Sequence, residues 1–212
     1  MSALPDLTVV HQDDALVVVD KPSGLLSVPG RGPQGQDCIA HRVQARWPDA
    51  LIVHRLDMAT SGLMVLARGA GWHRQLSIAF AERHVAKRYV ALAHGHLADG
   101  AGTMDWPLIC DWPNRPRQMV DLINGKPSLT RYRVLQRRPD GSTRVALEPV
   151  TGRSHQLRVH LQALGHPLLG DELYAPPDVQ ALAPRLMLHA EHLALVHPRS
   201  GEPVQFDSPA PF

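Results

Sequence analysis

Residues 54–63 read HRLDMATSGL. The apolar stretch 51–53 precedes them and the apolar run 63–67 (LMVLA) follows. Short apolar runs bounded by polar residues read as strands, so this stretch predicts a strand, a polar turn and a second strand. The turn presents Arg55, Asp57, Thr60 and Ser61 at strand ends, a common mounting point for reactive groups. Arg55 and Asp57 stand two apart on extended backbone and so point to one side. A guanidinium in that position helps keep a carboxylate ionised, and Gly62 permits a tight return. An isolated R-x-D is more often a salt-bridged turn whose acid caps backbone N–H groups. The pair alone therefore decides little.

Outward from this turn the periodicity is mixed. Residues 15–20 (ALVVVD) predict a strand that ends in the turn 21–24 (KPSG). The Gly- and Pro-rich stretch 28–35 predicts a loop. Residues 37–47 predict a helix, with Ile39, Val43 and Trp47 on one face and Asp37 as its N-cap. Trp72, Leu76, Ala79 and Phe80 have helical spacing. Further strands are predicted at 88–93, 118–123, 129–136, 144–149, 186–189 and 192–197. Residues 151–165 (TGRSHQLRVHLQALG) predict a second clear helix, with Leu157, Leu161 and Leu164 as its apolar stripe and Gly165 at its C-terminal cap. Short strands outnumber helices and do not strictly alternate with them. That pattern favours an α+β domain on a mixed, largely antiparallel central sheet flanked by a few helices and loops. No repeat, low-complexity run or linker divides the chain, so a single domain over residues 1–212 is expected.

Composition narrows the function classes. A chain of 212 residues that is 44% hydrophobic can bury a sizeable core without disulfides or metals. A formal net charge of +2 neither demands nor excludes nucleic acid, so any basic surface must be local. Cys38 and Cys110 lie far apart and form no C-x-x-C pair, so neither a disulfide framework nor a zinc site is expected. The reducing cytoplasm is the simplest home. The opening MSALPDLTVVHQDD lacks a basic n-region and a long apolar core, so no signal peptide is expected. No apolar run reaches the length that spans a bilayer.

Two phosphate-loop patterns fail on inspection. GRGPQG at 30–35 fits G-x-G-x-x-G, but Pro29 and Pro33 break the required strand–turn–helix. GKPS from Gly125 lacks the first glycine of a P-loop, because Val120 stands there. The 13 histidines include no H-E-x-x-H, and no metal site is expected. No nucleotide cofactor is expected either.

The chain as a whole resembles the RluA family of pseudouridine synthases. HRLDMATSGL matches the family signature H-R-L-D-x-x-[ST]-S-G-[LIV] at every fixed position. DDALVVVDKPSGLLSVPG at 13–30 is similar to the first family motif, and KRYVAL at 87–92 to its K-x-Y-x-A segment. GKPSLTRYRVL at 125–135, LEPVTGRSHQLRVHLQALGHPLLGDELY at 147–174 and LMLHA at 186–190 follow in family order. The resemblance implies the pseudouridine synthase fold and isomerisation of uridine in structured RNA. It implies Asp57 as the catalytic residue, Arg153 as the cation paired with it, Tyr89 as the active-site aromatic and Leu157 as an apolar pocket position. It further implies that Arg55 fills the gap left by an extruded base. His54, Thr60 and Arg88 are expected with Arg55 on the RNA-binding, base-flipping side.

These roles suit the chemistry. The reaction breaks the N1–C1′ bond, turns the uracil and joins C5 to C1′. A carboxylate acts in it by adding to base or sugar or by moving a proton, and no redox group or metal is needed. Desolvation alone would protonate the acid, so a buried cation should stand beside it. Extruding the base costs a few kcal/mol, and an aromatic face recovers about 1–3 kcal/mol by stacking.

RNA contacts are expected from three basic clusters: Arg83, Lys87 and Arg88; Arg115 and Arg117 beside Trp112; and Arg131, Arg133, Arg137 and Arg138. The first family motif begins near Asp13, which leaves no room before it for an S4-type domain. Short family members of that kind act on hairpin loops of large-subunit (23S) ribosomal RNA and on the transfer RNA anticodon stem-loop, and are usually monomeric. Either or both RNAs are the expected partners, with no membrane. A catalytically inactive RNA-binding protein of the same fold is the alternative. An oxidoreductase resting on the Gly30 loop is remote.

Overall fold

The run LVVVDK forms a strand whose first four residues are fully buried, and SGLMVLAR forms a second one buried over its first seven. Near-continuous apolar sequence of this kind suits a strand covered on both faces. The computed structural model describes residues 7–212. In chain order the strands are β1 (Thr8–Gln12), β2 (Leu16–Lys21), β3 (Ala50–Ile52), β4 (Ser61–Arg68), β5 (Ala86–His94), β6 (Ala101–Met104), β7 (Leu108–Cys110), β8 (Gln118–Val120), β9 (Thr130–Arg137), β10 (Ser142–Pro149), β11 (Leu188–Val196) and β12 (Pro203–Asp207). The helices are α1 (Ile39–Gln44), α2 (Gly69–Ala81), α3 (Gln156–Ala163) and α4 (Pro177–Gln180). Two compact units divide these elements. The first runs to Lys87 and takes in Ala190–Pro211; the second is Arg88–His189 with Phe212. The chain leaves the first unit within β5 and returns within β11.

In the first unit the strands are ordered β1–β2–β4–β11, with β3 also on β4 and β12 on β11. The pairs β1–β2, β2–β4, β3–β4 and β11–β12 are antiparallel. Register sets Val18 opposite Val65 and Leu16 opposite Ala67. Side chains alternate across a strand, so Leu16, Val18, Leu63, Val65 and Ala67 share one face. That face packs on Leu76 of α2 together with Leu193, Leu195 and Phe206.

In the second unit β5–β10–β9–β6 pair antiparallel, and β7–β8 form a separate hairpin. Helix α3 buries Leu157, Val159 and Leu161 together with the polar Gln156, Arg158 and His160. Each buried polar group is partnered. Arg158 donates to both oxygens of Asp171 at 2.8 and 2.7 Å. His160 Nε2 donates to the Trp106 carbonyl at 3.0 Å, which leaves Nδ1 to accept from the Thr130 hydroxyl at 2.9 Å. Burial pushes the His160 pKa down, as a neutral ring in this role requires.

Several element boundaries depart from the sequence pattern, each for a local reason. Helix α1 starts at Ile39 behind Cys38, and Asp37 does not cap it. Both Asp37 oxygens are taken by the Arg42 guanidinium at 2.7 Å. Helix α3 starts at Gln156, five residues later than its pattern suggests, because His155 adopts left-handed backbone at φ 54°. Strand β8 stops at Val120, where Asp121 Oδ1 accepts the N–H groups of Ile123 and Asn124 and turns the chain. The two late strands expected at 186–189 and 192–197 form one continuous β11. β1, β6, β7 and β12 had no clear signal; they are short, and β1 alternates exposed with half-buried residues.

Gly62 does more than permit a return. Its φ is +115°, and a Cβ there would lie 2.4 Å from the Ala190 carbonyl oxygen and 2.5 Å from the Ala190 nitrogen. Both the backbone conformation and the approach of β11 therefore require glycine. Gly62→Ala is expected to lower the unfolding free energy by about 3 kcal/mol or more, read from the denaturant midpoint. An unchanged midpoint would show that β11 does not lie against this glycine.

Candidate active site

The turn between β3 and β4 is fixed by the segment that follows β2. Ser27 Oγ donates to the Leu56 carbonyl at 2.6 Å and accepts the Leu56 N–H at 3.1 Å. The Asp57 carbonyl accepts the Thr60 N–H at 3.1 Å. The Met58 carbonyl accepts from Gly24 N–H at 2.8 Å and from Lys21 Nζ at 3.0 Å. Ser23 Oγ donates to the Ala59 carbonyl at 2.7 Å. Every backbone carbonyl from Leu56 to Ala59 thus has a donor, and three of the four take theirs from residues 21–27. With its backbone held this way, the half-buried Asp57 side chain is presented from a fixed position.

Lys21 is fully buried. Its ammonium also donates to the carbonyls of Pro22 at 2.9 Å and Leu25 at 2.7 Å, so its three N–H groups meet three carbonyls. Burial pulls its pKa down to about 8, and the charges of Asp57 and Asp20 oppose that fall. Lys21 is therefore a buried cation electrostatically linked to Asp57 within the same unit. Lys21 is not among the site residues expected from the sequence, where KPSG reads as a turn.

His54 anchors the other end of the turn. Its ring stacks on Phe80 at 4.5 Å and 13°, and Nε2 accepts the Val65 N–H at 3.0 Å. Burial, with Lys87 adding to it, pushes its pKa down to about 3, so the ring is neutral with its proton on Nδ1. Thr60 is 2% exposed. His54 is held by Phe80 and Val65, and Thr60 is buried in the turn. Arg55 is exposed.

The second unit builds the T-G-R-S-H turn around the buried Gln156 amide. Gln156 Oε1 accepts from Thr151 Oγ1 at 2.7 Å and from the Arg153 N–H at 3.0 Å. Its Nε2 donates to the Leu129 carbonyl and to Thr130 Oγ1, both at 3.0 Å. Thr151 Oγ1 in turn accepts the Leu129 N–H at 2.8 Å. Arg153 therefore stands in a fixed turn before α3 rather than in the helix. It is exposed, and its Nε donates to the Pro127 carbonyl at 3.2 Å. Tyr89 and Arg88 on β5 are half-buried, and Leu157 on α3 is buried. Among the basic clusters, Arg131 and Arg133 lie exposed on one face of β9. Arg137 is occupied by the carbonyls of Leu97 and Ala98, and Arg138 pairs with Asp140.

The RNA pseudouridylate synthase family matches this chain over residues 15–163. The chain belongs to that family. It is 53% identical over 206 residues to the dual-specificity RNA pseudouridine synthase RluA of Yersinia pestis, covering 97% of this chain and all of that one. It is 52% identical over 208 residues to RluA of Escherichia coli strain K12, covering 98% and 95% of the two chains. Human RNA Pseudouridylate Synthase Domain Containing 1 superposes with a TM-score of 0.82 at 30% identity, covering all of this chain and 86% of that one. The expected fold is thereby established, and the chain is an RNA pseudouridine synthase, an isomerase. The inactive RNA-binding reading has no support from these relatives. Among the described residues no helix is long and apolar enough to cross a membrane.

The Lys21 contacts generate a prediction. The unfolded chain keeps this proton to about the ordinary 10.5, the folded chain only to about 8. Between those values the unfolded state binds more protons, so Lys21 makes stability rise with pH across that window. Lys21→Met is expected to remove that rise in urea titrations. It should also slow isomerisation at neutral pH by about tenfold or more, since small misplacements of a catalytic group are costly. A variant with the parent's rate and the parent's pH slope would remove Lys21 from the site.

Proposed function

We propose that this chain converts particular uridines to pseudouridine in both large-subunit (23S) ribosomal RNA and the anticodon stem-loop of transfer RNA, with Asp57 as the catalytic carboxylate. The observation that carries the reading is the Asp57 turn, whose backbone is fixed carbonyl by carbonyl while one acid side chain is presented from it. The near-full-length relatives named dual-specificity enzymes support the two-substrate form. The chain acts as one catalytic domain and as a monomer, in the cytoplasm, where both RNAs reside. The reaction is internal to the nucleotide and needs neither metal nor nucleotide cofactor.

The remaining roles follow the resemblance and suit each residue's setting. Arg153, on a turn fixed by Gln156, supplies the active-site guanidinium. Tyr89 offers an aromatic face to the extruded uracil, and Leu157 an apolar wall. Arg55, exposed beside Asp57, takes the place of the departed base. Arg88 follows Lys87 on β5 and contacts the phosphate backbone.

Two tests separate chemistry from binding. Asp57→Asn is nearly isosteric, so it should abolish pseudouridine formation while leaving RNA affinity near that of the parent; substantial turnover by this variant would refute the role. Pseudouridine mapping of ribosomal and transfer RNA from cells with and without the gene identifies the substrates, and sites lost in only one RNA class would reduce the proposal to single specificity. Arg153→Ala should change unfolding free energy by only about 0.5 kcal/mol, as surface substitutions do. Its isomerisation rate should nevertheless fall by about 100-fold or more, because a preorganised charge is lost. A variant that unfolds instead makes Arg153 structural.

A further inference from the structure

The loop Asp111–Arg117 joins β7 to β8 and holds itself in shape. Asp111 N–H donates to the Arg117 carbonyl at 3.0 Å, and Arg117 N–H to the Asn114 carbonyl at 3.1 Å. The Asn114 side-chain amide donates to both Asp111 oxygens, at 3.1 and 3.0 Å. The one acid of the loop is thus engaged by Asn114, while its two cations remain. Trp112 is 65% exposed, which is a poor position for a large aromatic ring without a partner. The Arg115 guanidinium lies 4.7 Å from its ring centroid and fixes the ring by a cation–π contact.

This loop is indexed to the T-G-R-S-H turn of the same unit. The buried Tyr174 hydroxyl accepts the Gln118 N–H at 2.8 Å, just past the loop, and bonds His155 Nδ1 at 2.6 Å. The guanidinium of Arg117 lies 5.5 Å and that of Arg158 5.0 Å from the Tyr174 ring centroid. Arg158 is itself locked to the buried Asp171. The loop and the turn that carries Arg153, two residues before His155, are thus tied together through Tyr174.

We propose that the exposed face of Trp112 stacks an unpaired base of the substrate RNA, with Arg115 and Arg117 taking the adjoining phosphates. This is a second base contact, separate from the reacting uridine, and it rests on the RNA-modifying reading above. Flat stacking on an aromatic ring selects single-stranded loop nucleotides, because paired bases do not expose a face. An acid tied up by Asn114 and an exposed Arg115 beside the ring favour a polyanion over a protein partner.

The test measures RNA affinity in the Asp57→Asn background, so that no product forms. The probes are a stem-loop RNA that the parent enzyme modifies and a blunt duplex of the same stem. Trp112→Ala should weaken stem-loop binding by about 5- to 150-fold, the range of one lost base–aromatic stack. Trp112→Phe should retain most of the affinity, and duplex affinity should be the same for all three proteins. Unchanged stem-loop affinity of Trp112→Ala overturns the proposal and is the result a protein-docking surface would give. Equal losses on stem-loop and duplex, or a Phe variant as weak as the Ala variant, overturn it too. A parent that neither binds nor modifies ribosomal or transfer RNA sinks the functional reading itself, a result distinct from these.

Discussion

One ammonium group organises the Asp57 turn of the first unit. Lys21 lies at the end of β2, fully buried, and its three donors close on the carbonyls of Pro22, Leu25 and Met58. Burying a charge is costly unless hydrogen bonds and opposite charge replace the lost water. Here both are supplied: three carbonyls at 2.7–3.0 Å, and the fields of Asp20 and Asp57. The arrangement ties the segment after β2 to the turn before β4. Asp57 inherits its position from that tie, since the residue that follows it supplies one of the three carbonyls.

The second unit meets a similar problem with a side-chain amide. Gln156 has all its hydrogen-bonding capacity directed at Thr151, Arg153, Leu129 and Thr130. A buried polar network of this kind specifies one geometry when it is complete. The left-handed backbone at His155 is the local cost, and the bond from His155 to Tyr174 helps offset it. The result is a guanidinium, Arg153, carried on a turn that has little freedom. Both units therefore use buried polar groups to fix the loop that carries a candidate site residue, Asp57 or Arg153, and leave that side chain at or near the surface.

Much of this was legible in the sequence. β2 and β4 are continuous apolar runs, and α2 has clean helical spacing, so periodicity placed them. The signature HRLDMATSGL identified the turn and its acid. Other features were not legible because they depend on partners distant in sequence. Thr151 and Arg153 read as helix until Gln156 and Leu129 supplied alternative partners for that backbone. The stacking of His54 on Phe80 and its bond to Val65 are likewise invisible in a linear pattern. Lys21 read as a turn residue, because no local signal marks a lysine as buried. Gly62 was attributed to the turn alone, while the strand that forbids a side chain there comes more than a hundred residues later.

The most direct test of the account is nitrogen NMR of the Lys21 side chain. A buried ammonium bound to three carbonyls predicts a resolved, slowly exchanging Nζ signal, with through-hydrogen-bond couplings to the carbonyl carbons of Pro22, Leu25 and Met58, that titrates near pH 8. A signal lost to rapid solvent exchange, or one titrating at the ordinary lysine value with no such couplings, would contradict it.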